Sequence, residues 1–159
     1  MNVTAIGRTE VLYSSIQAVN SAGHEIDRII TCGDENFYTT STADFEQLAT
    51  NIGAEYYFCT DLGSEEMVNR LSDGQSDVAI SVNWKYPISR SVLTAFDHGI
   101  LNAHAGDIPR YRGNAAPNWA ILNGEDEVVL TVHRMNEEID AGPIVRQSQV
   151  PITEETYLG

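Results

Sequence analysis

The sequence predicts an α/β fold: a Rossmann-like, mostly parallel sheet flanked by helices. Two observations carry this. Short apolar runs of strand length alternate with segments whose apolar residues recur at helical spacing. The apolar run at 77–82 also barely alternates, as expected of a central parallel strand covered on both faces. Strands alternating with helices imply βαβ units, and ligands in such sheets bind beyond the carboxyl ends of the strands.

Each element has its own signal. Residues 2–6 read as a first strand ending at Gly7. Residues 10–22 place Val11, Leu12, Ile16 and Val19 at helical spacing, with Gly23 as the stop. Residues 26–31 are a second strand. Thr42, Ala43 and Asp44 are expected to cap a helix at 45–52, closed by Gly53. A third strand follows at 56–59. Ser64, Glu65 and Glu66 open a helix with Met67, Val68 and Leu71 as its buried stripe. After the strand at 77–82, a helix is expected at 88–96 and a fifth strand at 99–102. A long irregular stretch with Gly106, Pro109, Gly113 and Pro117 then leads into a helix at 116–122, and long loops inside a compact chain are usually functional. Strands are expected at 128–135 and 144–149, joined by a polar loop that carries Asp140. The 159 residues suit a single domain, 1–159.

Composition narrows the class. Formal net charge is -14, with Lys85 the single lysine beside eight arginines. Such a surface opposes nucleic acid, whose binding rests on phosphate neutralisation. It also fits a protein adapted to high salt, where self-repulsion is screened. Within residues 81–120, however, Lys85, Arg90, Arg110 and Arg112 face only Asp97 and Asp107, a positive island suited to an anionic ligand. No apolar run is long enough to span a membrane. The N-terminus lacks a basic n-region and reads as a strand, so cytoplasmic residence is expected. Cys32 and Cys59 fit no metal or redox spacing and read as buried, reduced thiols. No metal is expected, and His24, His98 and His133 read as surface or strand-packing residues. Trp119 reads as core or pocket wall. There is no G-x-G-x-x-G after the first strand and no P-loop.

The chemistry is expected where the fifth strand ends. Asn102 and His104 are two apart, so in extended geometry they point the same way. Asp140, on a loop after the next strand, can reach the same edge. This trio suits acyl transfer to an amine: Asn and His stabilise an oxyanion, and a carboxylate orients the His or relays a proton. By spacing alone the same residues also fit turns and a solvated loop.

The stretch from Leu101-Asn102-Ala103-His104-Ala105-Gly106-Asp107-Ile108-Pro109-Arg110-Tyr111-Arg112-Gly113-Asn114 to Pro117, then Trp119-Ala120-Ile121-Leu122-Asn123-Gly124, resembles the signature of the folate-dependent formyltransferases. Asp140-Ala141-Gly142-Pro143-Ile144 resembles that family's second motif, and the strand at 77–82 followed by Pro87 fits as well. The likeness runs from about Asp77 onward. It implies that Asn102, His104 and Asp140 are catalytic and that 10-formyltetrahydrofolate is the donor. It implies a folate pocket beside Ser81, Val82, Asn83 and Trp84 and near Met135 and Ile139. Arg110, Arg112, Gly113 and Asn114 are expected to bind the acceptor.

Among acceptors, the wording around Asn102–Asp107 is similar to the sugar N-formyltransferases, which act on nucleotide-linked amino sugars. Methionyl-tRNA formyltransferases also resemble the chain near Tyr111-Arg112-Gly113, yet need a further domain and a surface tolerant of RNA. Glycinamide ribonucleotide formylation and hydrolysis of formyl-folate are less favoured outcomes of the same site. The last residues, Glu154 to Gly159, look like a helix start cut short. A truncated folate-binding domain without transfer activity is therefore the alternative of a different class. A homo-oligomer is left open.

Overall fold

A computed structural model describes residues 1–33, 35 and 38–154. Twelve elements follow in the order β1 (Asn2–Gly7), α1 (Thr9–Ser21), β2 (Glu25–Thr31), α2 (Thr42–Ile52), β3 (Glu55–Phe58), α3 (Glu65–Leu71), β4 (Val78–Val82), α4 (Arg90–Leu93), β5 (Ile100–His104), α5 (Ala116–Leu122), β6 (Glu127–Arg134) and β7 (Ile144–Pro151). The expected class is found: a mostly parallel sheet with flanking helices. The chain divides into two compact units, Met1–Leu101 and Asn102–Gly159.

In the first unit the strand order is β3-β2-β1-β4. β1 pairs in parallel with β2 and with β4, and β2 with β3. The start of β5 follows beside β4, where the Ala79 N–H donates to the Gly99 carbonyl at 3.1 Å. β1 is buried from Val3 to Gly7 and β4 at four of five positions, as central strands covered on both faces are. α1 packs on β1, β2 and β4, and α2 on β2 and β3. Ile6, Leu12, Ile16, Ile29, Ile30 and Phe45 form the core. Each such side chain contributes about 1.5–3 kcal/mol through burial.

Several boundaries differ from the sequence pattern, most by a residue or two. α2 is capped by Ser41, one residue earlier than expected, whose side chain accepts from the Asp44 N–H while Asp44 reaches back to the Ser41 N–H. α4 is four residues long instead of nine. It stops at Thr94, where the Ala95 N–H bonds the Val92 carbonyl three residues back in place of a helical bond. β3 starts at Glu55, one residue early. The expected helix start at the chain end falls mainly on 155–159, outside the described residues.

In the second unit the strand order is β5-β6-β7, with β6 and β7 antiparallel. α5 packs on β6. The alternation read in β6 is real: Val129, Thr131 and His133 are buried while Leu130 and Arg134 are exposed. β7 is exposed along its whole length.

Candidate active site

Three elements of the second unit supply the site. β5 carries Asn102 and His104 on one face, two residues apart, as extended backbone dictates. The loop between β6 and β7 carries Asp140, in a left-handed conformation (φ 46°) that aspartate tolerates better than most residues. β6 carries His133. The loop is turned back on itself by the Arg134 N–H donating to the Pro143 carbonyl at 2.9 Å. Gly142 permits that closure, because a Cβ there would collide with the Arg134 carbonyl.

Asp140 is the hub. Its Oδ2 accepts the Gly113 N–H at 2.9 Å and lies 3.5 Å from His104 Nδ1. Its Oδ1 lies 3.5 Å from Asn102 Nδ2 and 3.4 Å from His133 Nε2. His104 Nε2 donates to the Tyr111 carbonyl at 2.7 Å, since a carbonyl only accepts. The side chains of His104 and Asp140 are 11% and 13% exposed, so the cluster is screened from water yet reachable. It thus joins two potential N–H donors to a carboxylate in a half-buried setting. That combination can hold a developing oxyanion and move a proton.

The loop after β5 is held from its other side. Tyr111 donates its hydroxyl to Glu125 at 2.8 Å and accepts from Asn123 at 3.1 Å, and Arg110 pairs with Glu125 and lies over the Tyr111 ring. Thr131 donates to the Gly106 carbonyl at 2.7 Å. Arg112 is exposed and has no ion-pair or hydrogen-bond partner among the described residues. Among those residues no group of three or more His, Cys, Asp or Glu could hold a metal ion.

A family model described as Formyl transferase matches residues 1–158. The chain belongs to the Formyl transferase family. Solved structures share the fold of this formyl transferase chain. A phosphoribosylglycinamide formyltransferase from Bacillus halodurans is 21% identical, with a TM-score of 0.79 over 99% of this chain and 83% of its own. WlaRD, a sugar 3N-formyltransferase solved with dTDP and 5-N-formyl-THF, is 21% identical, with a TM-score of 0.71 over 96% of this chain and 52% of its own. A formyltetrahydrofolate deformylase from Pseudomonas syringae pv. tomato is 20% identical, with a TM-score of 0.72 over 98% and 52%.

In this formyl transferase, Asn102, His104 and Asp140 come together. The residues expected at a folate pocket divide between the units. In the first, Ser81 and Val82 are buried within β4, while Asn83 leaves the strand with φ 53° and donates to Thr9 Oγ1 at 3.2 Å. Trp84 is half-buried and meets Tyr86 edge-on at 5.8 Å. In the second, Met135 is half-buried and Ile139 is 77% exposed. Gly113 touches the cluster through its backbone, and the exposed Asn114 accepts the Ala115 N–H on its side chain.

Several expectations need correction. The positive island is partly neutralised by acids outside its sequence window. Lys85 pairs with Glu35 at 3.1 Å, which raises the Lys85 ammonium and lowers the Glu35 carboxyl, and Arg110 pairs with Glu125. Trp119 is 56% exposed, not core, because α5 turns it to the outer face. Cys32 is fully buried but Cys59 only half so. Burial pushes both thiols above their ordinary range. His133 does pack in a strand, as read, but it also belongs to the cluster, which spacing did not reveal. The available signal was a histidine in phase with Val129 and Thr131 on the buried face of an alternating strand.

Proposed function

We propose that this chain transfers a formyl group from the co-substrate 10-formyltetrahydrofolate to the primary amine of a phosphate-bearing acceptor, with Asn102, His104 and Asp140 as its catalytic residues. The observation that carries the reading is the single carboxylate, Asp140, facing both Asn102 and His104 at 3.5 Å. The amine nitrogen attacks the formyl carbon, and the carbonyl electrons move onto oxygen. The Asn102 amide N–H and the His104 Nε2–H donate to that oxyanion, His104 exchanging the Tyr111 carbonyl for it. Collapse of the tetrahedral species breaks the bond to folate N10, which takes up a proton. The amine gives up a proton in turn, and Asp140 accepts it directly or holds the histidine that does. No covalent enzyme intermediate is needed.

Arg112, which has no partner among the described residues and lies beside the Gly113 that touches Asp140, supports an anionic acceptor, since arginine recognises phosphate bidentately. A nucleotide-linked amino sugar is the first acceptor to try. Glycinamide ribonucleotide is the second, because it carries the same amine and phosphate and several fold neighbours are transformylases of that name. The net charge of -14 speaks against tRNA.

The test is release of tetrahydrofolate from 10-formyltetrahydrofolate, followed spectroscopically with each amine in turn. Release that depends on an amine supports transfer, and the productive amine names the acceptor. Release in water alone makes the chain a hydrolase. Binding without release makes it a donor-binding domain. His104→Ala should lower turnover at least about a hundredfold, the scale of a lost oxyanion donor, with circular dichroism unchanged.

A further inference from the structure

His133 is 1% exposed on β6, and its Nε2 lies 3.2 Å from Asn102 Nδ2. An amide nitrogen has only protons to offer, so a bond of this kind makes Nε2 the acceptor and puts the ring proton on Nδ1. Nδ1 is itself buried with no hydrogen-bond partner among the described residues. A buried donor left without a partner is unfavourable, so the ring is held in place at some expense. What that placement achieves is visible at Asn102.

We propose that His133 is a positioning residue that fixes which way the Asn102 amide faces. Two acceptors meet the Asn102 nitrogen: His133 Nε2 at 3.2 Å and Asp140 Oδ1 at 3.5 Å. A flipped amide would set its oxygen against the lone pair of one and the charge of the other. With the nitrogen held, one of its N–H groups is committed to this pair and the second is left for the oxyanion. Asp140 Oδ1 also stands 3.4 Å from the same Nε2 and would draw a proton there, so the two tautomers compete and the ring proton is what the experiment must read. Gly142 lies alongside Nδ1, and Ile144 is the register partner on β7, neither of them charged. The role rests on the reading of Asn102 as an oxyanion donor.

The experiment combines a spectroscopic readout with two variants. Ring nitrogen and carbon chemical shifts of His133, assigned by their loss in His133→Gln, should report the Nδ1–H tautomer at neutral pH. His133→Gln offers a side-chain carbonyl to the Asn102 amide, so its kcat should stay within about tenfold of the parent. His133→Leu offers no acceptor, so its kcat should fall by more than about tenfold below the Gln variant while the KM for formyl-folate holds. An Nε2–H tautomer, or equal kcat in the Gln and Leu variants, overturns the proposal. A parent chain that transfers no formyl group to any amine defeats the reading of the reaction, and the tautomer still decides the bond between His133 and Asn102. If the Leu variant fails to fold, the tautomer decides alone.

Discussion

Oδ2 of Asp140 stands 3.5 Å from Nδ1 of His104, while the opposite ring nitrogen donates to the Tyr111 carbonyl at 2.7 Å. With Nε2–H committed to a carbonyl, any second ring proton sits on Nδ1 and points at Asp140. The carboxylate therefore controls the histidine that must face the oxyanion. Asp140→Asn keeps the shape and the acceptor for the Gly113 N–H but removes the charge. Turnover should drop about a hundredfold or more with secondary structure unchanged. A loss smaller than tenfold in a stopped assay of tetrahydrofolate release would defeat this role for Asp140.

Gly106 is what lets His104 reach Tyr111. A Cβ at 106 would collide with His104 Nε2, the Tyr111 carbonyl and the Ala116 methyl at once. Gly106→Ala should push the imidazole off its partner, costing activity and about 1–3 kcal/mol of stability through overpacking. Gly23→Ala is the control. Gly23 has positive φ (86°), but nothing lies within 4 Å of the place a methyl would take there. Only the backbone cost of about 1 kcal/mol should therefore appear, with activity kept. Thermal unfolding together with turnover separates the two effects.

Arg112 and Arg110 differ in a way their closeness in sequence hides. Arg110 is tied to Glu125 and helps anchor the loop, whereas Arg112 has no partner among the described residues. If the acceptor carries phosphate, Arg112→Ala should raise its KM about tenfold or more with kcat little changed, the loss of one charge-assisted hydrogen bond. Arg110→Ala should act mainly on loop order, lowering kcat and stability with less effect on KM. A KM unmoved by Arg112→Ala removes the support for an anionic acceptor.

The sequence made legible what periodicity and spacing encode. The barely alternating run at 77–82 announced a central strand, and Asn102 and His104, two apart on a strand, announced a shared face. The helix at 88–96 is shorter than its apolar spacing suggests because the turn at Ala95 is made by a backbone bond to the Val92 carbonyl, which no side-chain pattern marks. The Gly113 N–H and the Tyr111 carbonyl escaped notice because they act through backbone, which no side-chain pattern marks. The pairing of Arg110 with Glu125 closes across the whole of α5, so a count of charges in one window overstated the positive field. His133 stood in the right phase on β6, but only the geometry put its Nε2 beside Asn102.

In the first unit, Arg28 is 2% exposed and is held by Asp73 and by Glu55 at 3.3 Å. Burial lowers the guanidinium, but the hydrogen bond and charge of Asp73, with Glu55 and Asp27, outweigh it and the net shift is upward. Asp73 is likewise opposed by burial, yet the Gln75 N–H and Arg28 hold its carboxyl below the usual range. A carboxylate depressed on folding stabilises the protein above its unfolded value of about 4 and loses that contribution as pH falls through the lower folded value. Asp73→Asn leaves a buried cation without one of its partners. It should cost about 3 kcal/mol at neutral pH, the low end for a broken buried pair because the Asp73 side chain keeps 33% of its exposure. The gap between parent and variant should narrow below about pH 4, as the parent carboxylate takes up its proton. Urea unfolding at pH 7 and pH 3 measures both values, and a gap that is equal at the two pH values would show that the Asp73 charge is not what holds Arg28.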